Sequence, residues 1–325
     1  MKKKTLVTAI VAIIAVVIAG ALLAGVLNDT SKDDGKYVVG ICQLVQHPAL
    51  DQATQGFMDA LIAELGEENV QFDLQNASGD TNVCSTIVNK FVNNKVDLIM
   101  ANATPALGAA YNATATIPIL GTSITEYGVA LGTTLTNGVV GGNVSGTSDL
   151  APLNQQADMI LELCPDVKKV GIVYCSAEAN SKYQVEQVTS FLQAKGVEVK
   201  PFSFSDTNDL SSVVESACAF SDAIYIPTDN AAADGAEIIA TVVSQHNIPV
   251  FAGEANVAKV CGVASLSISY YDLGVTTGKM AAKILKGEAD ISTMPIEYAP
   301  ATKMYNKEMC QKLGIVVPDG YTEIQ

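Results

Sequence analysis

Arginine and tryptophan are both missing from this 325-residue chain, so all 19 of its basic side chains are lysine. No guanidinium fork is available to grip a phosphate in bidentate fashion, and no indole can serve as a stacking platform. Histidine occurs only at His47 and His246, and charged residues make up just 16% of the chain. Acidic residues number 34, for a net charge of −15. A nucleic-acid partner is disfavoured, because it needs a basic face that releases counterions. Catalytic signatures are missing too: there is no GxSxG, P-loop, HExxH or CxxC, no paired-acid motif, and no His at metal-ligand spacing. The expectation is a protein without cofactor or metal, and not an enzyme. Seven cysteines (42, 84, 164, 175, 218, 261, 310) are scattered. The odd number leaves at least one thiol free in an exported chain, and Cys42 and Cys84 read as small buried hydrophobes.

What is present is apolar. About half of the residues are hydrophobic, too many for a disordered chain, and the length exceeds one core of about 100–150 residues, so two lobes are expected. Residues 1–28 form a separate element. Lys2, Lys3 and Lys4 precede an apolar run, Thr5–Leu27, which reads as a signal peptide or an N-terminal membrane anchor. Either puts the basic end in the cytoplasm and the rest outside. Residues 29–36 are polar and aperiodic, a linker.

From Tyr37 onward, short β-rich runs alternate with helical patterns. Val38–Cys42, Val70–Leu74, Val96–Met100 and Ile117–Leu120 read as strands; Leu50–Leu65, Thr81–Val92 and Pro105–Tyr111 read as helices. Continuous apolar strands between helices indicate a parallel sheet covered on both faces. The pattern then restarts. Val39-Gly40-Ile41 returns as Val170-Gly171-Ile172 and Ile117–Leu120 as Ile248–Phe251, both offset by 131; Asp97-Leu98-Ile99 returns as Asp222-Ala223-Ile224, offset by 125. Val70–Asp73 and Val197–Lys200 make a fourth pair. The predicted fold is α/β: two doubly wound parallel-sheet lobes joined by three crossovers. Residues 37–143 with 270–299 form one lobe, and 144–269 with 300–325 the other. The crossovers are placed at Val139–Gly146, Ser265–Tyr271 and Tyr298–Thr302, a hinged clamshell.

Ligands of such sheets sit beyond the carboxyl ends of the strands, where helix N-termini point. The residues following each strand are therefore the candidate site. Thr104, with Pro105 and Ala106 behind it, reads as an N-cap opening a helix whose free N–H groups suit a carboxylate; an ordinary capped helix is the competing reading. Asp229 stands at the matching place in the second lobe, 125 residues on. It reads as an N-cap that could also hold an ammonium, with Asn230 beside it. Donors on one lobe facing a carboxylate on the other suit a zwitterion. Ser176, Asn180 and Ser181 lie in a long polar turn after the first strand of the second lobe. Its first-lobe counterpart begins at Gln43, and its Leu44, Val45 and His47 give an apolar and partly aromatic wall, although a solvated loop histidine remains the alternative for His47. Ser123 and Glu254 complete the ring of strand-end turns.

Five segments carry a family resemblance: Leu44–Asp51, Ala103–Ala106, Ser176–Ser181, Pro227–Asn230 and Phe251–Glu254. With them the chain resembles a type I substrate-binding protein of ABC importers, and more narrowly the subgroup that includes tryptophan-binding proteins of Gram-positive bacteria. The resemblance implies a monomer that binds an amino acid between its lobes, with the α-carboxylate near Thr104 and the ammonium near Asp229. It implies delivery to ABC permease and ATPase subunits at the outer face of the membrane. A membrane-anchored ligand sensor feeding a signalling receptor is the alternative role. Sugar binders of this fold usually use tryptophan and arginine, so a sugar is disfavoured. Val26 stands where a lipoprotein would carry its lipidated cysteine.

Overall fold

The computed structural model describes residues 35–325, of which 37–325 form one compact unit. The leader at 1–28 and most of the linker lie outside the described residues. Among the described residues, no helix is long and apolar enough to cross a membrane.

The first lobe runs β1 (Tyr37–Gln43), α1 (Pro48–Leu65), β2 (Val70–Asn76), α2 (Thr81–Asn93), β3 (Leu98–Asn102), α3 (Thr104–Ala113), β4 (Ile119–Ile124), α4 (Tyr127–Leu131) and β5 (Val144–Ser148). The second runs α5 (Leu153–Leu163), β6 (Lys169–Cys175), α6 (Ala179–Ala194), β7 (Glu198–Phe204), α7 (Thr207–Phe220), β8 (Ala223–Ile226), α8 (Asn230–Asp234), α9 (Ala236–His246), β9 (Val250–Ala252), α10 (Ala255–Cys261) and β10 (Ala264–Ser267). The chain then returns to the first lobe with α11 (Tyr270–Leu285) and β11 (Glu297–Tyr298), and ends in the second with β12 (Thr302–Tyr305), α12 (Lys307–Leu313) and β13 (Thr322–Glu323).

The sheet orders are β2-β1-β3-β4-β5-β11 and β7-β6-β8-β9-β10-β12-β13. Their first five strands follow one topology, as the internal repeat implied. Asp97 and Asp222 show why those aspartates recur. Each carboxylate accepts backbone N–H groups at the start of the neighbouring strand: Val38 for Asp97, Lys168 and Lys169 for Asp222. Alternate strand residues feed opposite faces: Ile99 and Ala101 pack toward α2 and α3, while Leu98 and Met100 pack toward α1 and α11. Cys42 and Cys84 are fully buried in the first of these cores.

Three expectations need correction. The second crossover is not Ser265–Tyr271: Ala264–Ser267 is β10, paired with β9, and Tyr270 opens α11, so the chain crosses at 268–269. The second sheet is not wholly parallel, since β12 runs antiparallel to β10 at its edge. The first crossover is not Val139–Gly146. Residues 144–148 are β5, paired in parallel with β4 in the first lobe, and the chain crosses at 149–152 instead. Unlike its neighbours, β5 is polar: Ser145 and Thr147 are fully buried, and Thr147 shares hydrogen bonds with Thr122 and Thr277. Its sequence, VSGTS, lacks the apolar run that marks a buried strand.

Helices α1 and α11 approach closely because glycines remove the side chains between them. A Cβ on Gly274 would lie 2.0 Å from the Ala53 carbonyl oxygen, and one on Gly56 2.1 Å from that of Tyr271. This contact fixes the late helix α11 onto the first lobe.

Candidate functional site

A narrow inner cavity lies between the two rows of strand ends. His47, Ser123, Asn180, Asp229, Asn230 and Glu254 line it, together with Ala49, Leu50, Thr125, Asp149, Thr228, Ala233 and Tyr270. A second, roomier groove lies farther out, with Leu44, Val45 and Pro105 on one wall and Cys175, Glu178 and Ala231 on the other; Asn230 lines both spaces.

The remaining candidates sit elsewhere. Gln43 is braced within the first lobe: its amide donates to Asp51 and the Val45 carbonyl, and it accepts from Thr54. Thr104 lines neither space. It is the first helical residue rather than the N-cap, which is Ala103 at φ 91°, so its hydroxyl does not cap α3. Ala106 is core. The Ser176 hydroxyl donates to the Phe204 carbonyl. Ser181 is fully buried and accepts from Asn180. The sequence-derived pairing of Thr104 with Asp229 across one cavity is therefore not what the fold assembles.

Three carboxylates face the inner cavity, and they differ in what they already hold. Asp229 caps α8: Oδ1 accepts from Ala232 N–H at 2.8 Å, and Oδ2 from Cys175 N–H at 2.6 Å. Burial, then the nearby Glu178 charge, pushes its carboxyl up to about 7. Glu254 caps α10 through the N–H groups of Asn256 and Val257. Asp149, the first residue of the first crossover, caps nothing. Its Oδ2 accepts the Tyr270 hydroxyl at 3.0 Å, while its buried Oδ1 has no partner. Burial raises this carboxyl to about 6, against the opposing pull of hydrogen bonds from Tyr270 and Thr125.

Donors face the same space. His47 precedes α1 without a side-chain cap bond, and none of the hydrogen bonds among the described residues uses the N–H of Ala49 or Leu50. Those two amides form the open N-terminus of an 18-residue helix, a ready anion site. The Ser123 hydroxyl is buried and unpaired, on a backbone held at φ 56°, a left-handed conformation that a non-glycine residue adopts at a cost. Asn180 Oδ1 and His47 Nδ1 are likewise buried without partners. Most of the unsatisfied buried side-chain atoms among the described residues thus converge on one cavity, where such groups normally find partners.

Sequence reading missed Asp149, Thr125, Thr228 and Tyr270. A usable signal existed for Asp149, as the acid that directly follows a strand where the chain changes lobes, but placing it required recognising β5.

Two lobes of matching topology, three crossovers and a polar cavity between facing strand ends define a two-lobed ligand-binding protein of the type I periplasmic class. The chain belongs to the ABC transporter substrate binding protein family, whose model matches residues 38–322. It is 33% identical to a tyrosine-binding protein of Clostridioides difficile over 312 residues, 91% of this chain and 90% of that one. It also resembles the ABC domain from Streptococcus pneumoniae solved in complex with L-Trp, at 33% identity and a TM-score of 0.85, covering 89% of this chain and all of that one. The ligand-free, open structure of a substrate binding protein with adhesive properties from Clostridium difficile matches at 34% identity and the same coverage, but with a TM-score of 0.68. At nearly equal identity the chain superposes better on the tryptophan complex than on the ligand-free, open structure.

Proposed function

We propose that this protein is the extracytoplasmic ligand carrier of an ABC importer, binding one amino acid with an aromatic side chain and presenting it to a membrane permease. The observation that carries the reading is the polarity of the inner cavity. An unpaired carboxylate oxygen of Asp149 meets an ammonium, while the free N–H groups of Ala49 and Leu50 and the Ser123 hydroxyl meet a carboxylate. Among the described residues no lysine lines this space, so a ligand cation has no competitor. The aromatic preference draws support from the relatives whose names and complexes specify tyrosine and tryptophan. The leader 1–28 directs the chain across the membrane or holds it there, and a single copy encloses the ligand.

Calorimetry on protein stripped of ligand by unfolding and refolding tests this. Tyrosine and tryptophan are expected to bind more tightly than alanine, glutamate or ribose, and to add about 2.7 kcal/mol of stability at 100 times the dissociation constant. Binding of ribose but of no amino acid would overturn it.

A further inference from the structure

Cys42 stands near the end of β1 and Cys84 in the first turn of α2, and both are fully buried in one core. The fit of strand against helix brings them side by side. Gly40 and Cys42 share a face of β1, and Phe91 and Cys84, about two turns apart, share a face of α2. A Cβ on Gly40 would lie 2.6 Å from the Phe91 ring. Ahead of α2, the N–H groups of Ala77 and Gly79 donate to the Gln43 and Leu44 carbonyls at 2.9 and 2.8 Å. The helix is thus held to the strand at both ends, with Phe91 over Gly40 and the incoming loop beside Gln43. Cys84 and Cys42 meet between these two contacts. Cys84 beside it, together with burial, pushes the Cys42 thiol well above the ordinary thiol range. The thiols of Cys175, Cys261 and Cys310, by contrast, turn to backbone carbonyls.

We propose that Cys42 and Cys84, thiols in this structure, are a disulfide site that joins β1 to α2 and fixes the first-lobe wall of the outer groove. The site rests on the reading of the chain as extracytoplasmic, where disulfides form and persist. Leu44 and Val45 follow Cys42, and Ser78, Gly79 and Thr81 precede Cys84; all five line the outer groove. The bond therefore ties together the two segments that build that wall, and closes a loop of about forty residues.

The thiolate of one cysteine attacks the S–S bond of a disulfide oxidant, a small molecule or a protein, and forms a mixed disulfide. The thiolate of the other then displaces the oxidant's remaining sulfur. One Sγ–Sγ bond forms and one S–S bond breaks. The two cysteines give up two electrons, and the oxidant leaves as two thiols that carry the two protons. Because both side chains are fully buried in the finished fold, the exchange belongs to the folding chain, before α2 covers β1.

The test uses the full chain in mild detergent, unfolded and reduced, then refolded either in glutathione with glutathione disulfide or in reductant alone. Free thiols are trapped with acid and N-ethylmaleimide in denaturant. A glutamate-specific protease then cuts at Glu64, Glu67 and Glu68, between the two cysteines. Mass spectrometry is expected to find the Cys42 and Cys84 peptides joined after oxidation and both labelled after reduction. Oxidised protein is expected to melt about 5–10 °C above reduced protein. Cys42→Ala/Cys84→Ala is expected to melt at the same temperature in both buffers, and Cys84→Ala alone leaves Cys42 labelled. No ligand enters the readout, so failure here leaves the ligand-carrier reading standing, and failure of that reading leaves the linkage result standing. Cys42 and Cys84 both labelled in oxidised wild type, or either joined to a different cysteine, would overturn the proposal. So would a double variant whose melting temperature still rises on oxidation as much as that of wild type.

Discussion

Asp149 and Tyr270 lie 121 residues apart in sequence, yet the tyrosine hydroxyl donates to the carboxylate at 3.0 Å. Asp149 begins the first crossover and Tyr270 opens α11, so the bond ties that crossover to the start of the returning helix at the wall of the cavity. A cation seated on the free Asp149 Oδ1 therefore touches the hinge itself.

Asp149→Asn separates the two roles of this carboxylate. The amide oxygen still accepts from Tyr270, but the charge is gone. Amino-acid affinity is expected to fall by about 2–5 kcal/mol, since the ligand ammonium is left unpaired in a closed cleft. Stability without ligand is expected to rise by roughly 1–3 kcal/mol at pH 8. The sign follows from a carboxyl raised to about 6: its burial penalty develops as pH climbs from the ordinary carboxylate range through 6, and the amide never pays it. Calorimetry and urea unfolding read the two effects; a variant that binds like wild type refutes the assignment.

Binding is expected to be pH-dependent in the same window. Below pH 6 Asp149 is protonated, and a ligand ammonium must displace that proton. Affinity therefore climbs about tenfold per unit up to pH 6 and levels off near 7. Calorimetry in two buffers of different ionisation enthalpy should register proton release at pH 5.5 and little at pH 8. A profile flat from pH 5 to 8 contradicts a carboxylate–ammonium contact.

Asp229→Ala should injure the fold more than the affinity per folded molecule. The substitution strips partners from the N–H groups of Cys175 and Ala232, both buried. A loss of about 1–3 kcal/mol is expected, measured by thermal unfolding. An unchanged melting temperature with abolished binding would return the ammonium to Asp229.

Gly274→Ala is expected to destabilise by about 1–3 kcal/mol, because the added methyl would meet the Ala53 carbonyl of α1. Gly108→Ala in α3 is the control. Its Cβ meets nothing closer than 4.0 Å, so better helix propensity should leave stability unchanged or slightly higher. Equal melting temperatures for the two variants would mean the α1–α11 contact yields without cost.

Ligand removal should open the lobes. The chain superposes better on the tryptophan complex than on the ligand-free, open relative, and small-angle scattering is expected to give a larger radius of gyration for stripped protein than for the same protein with tyrosine.

The repeat was legible because buried parallel strands are short apolar runs, and because Gly40 and Gly171 recur for a steric reason. A Cβ on Gly40 would strike the Phe91 ring, and one on Gly171 the Ser221 hydroxyl. Polar burial was not legible. Strand β5 is held by hydroxyls that bond to one another, and its sequence looks like a turn. That one strand displaced the first crossover and hid Asp149. The Thr104 reading failed over a single residue: Thr-Pro does open a helix, but Ala103, in a conformation unusual for alanine, takes the cap position and turns the threonine away from any capping role.

The return of α11 to the first lobe also sets the order in which the molecule can be completed. Phe57 and Leu61 of α1 bury against Met280 and Ala281, residues made more than 200 positions later. At about 5–20 residues per second of synthesis, α1 waits on the order of 10–45 s for the surface that covers it. The second lobe waits in the same way for β12, which covers the open edge of β10. Neither half has all of its packing partners until α11 and β12 have been made.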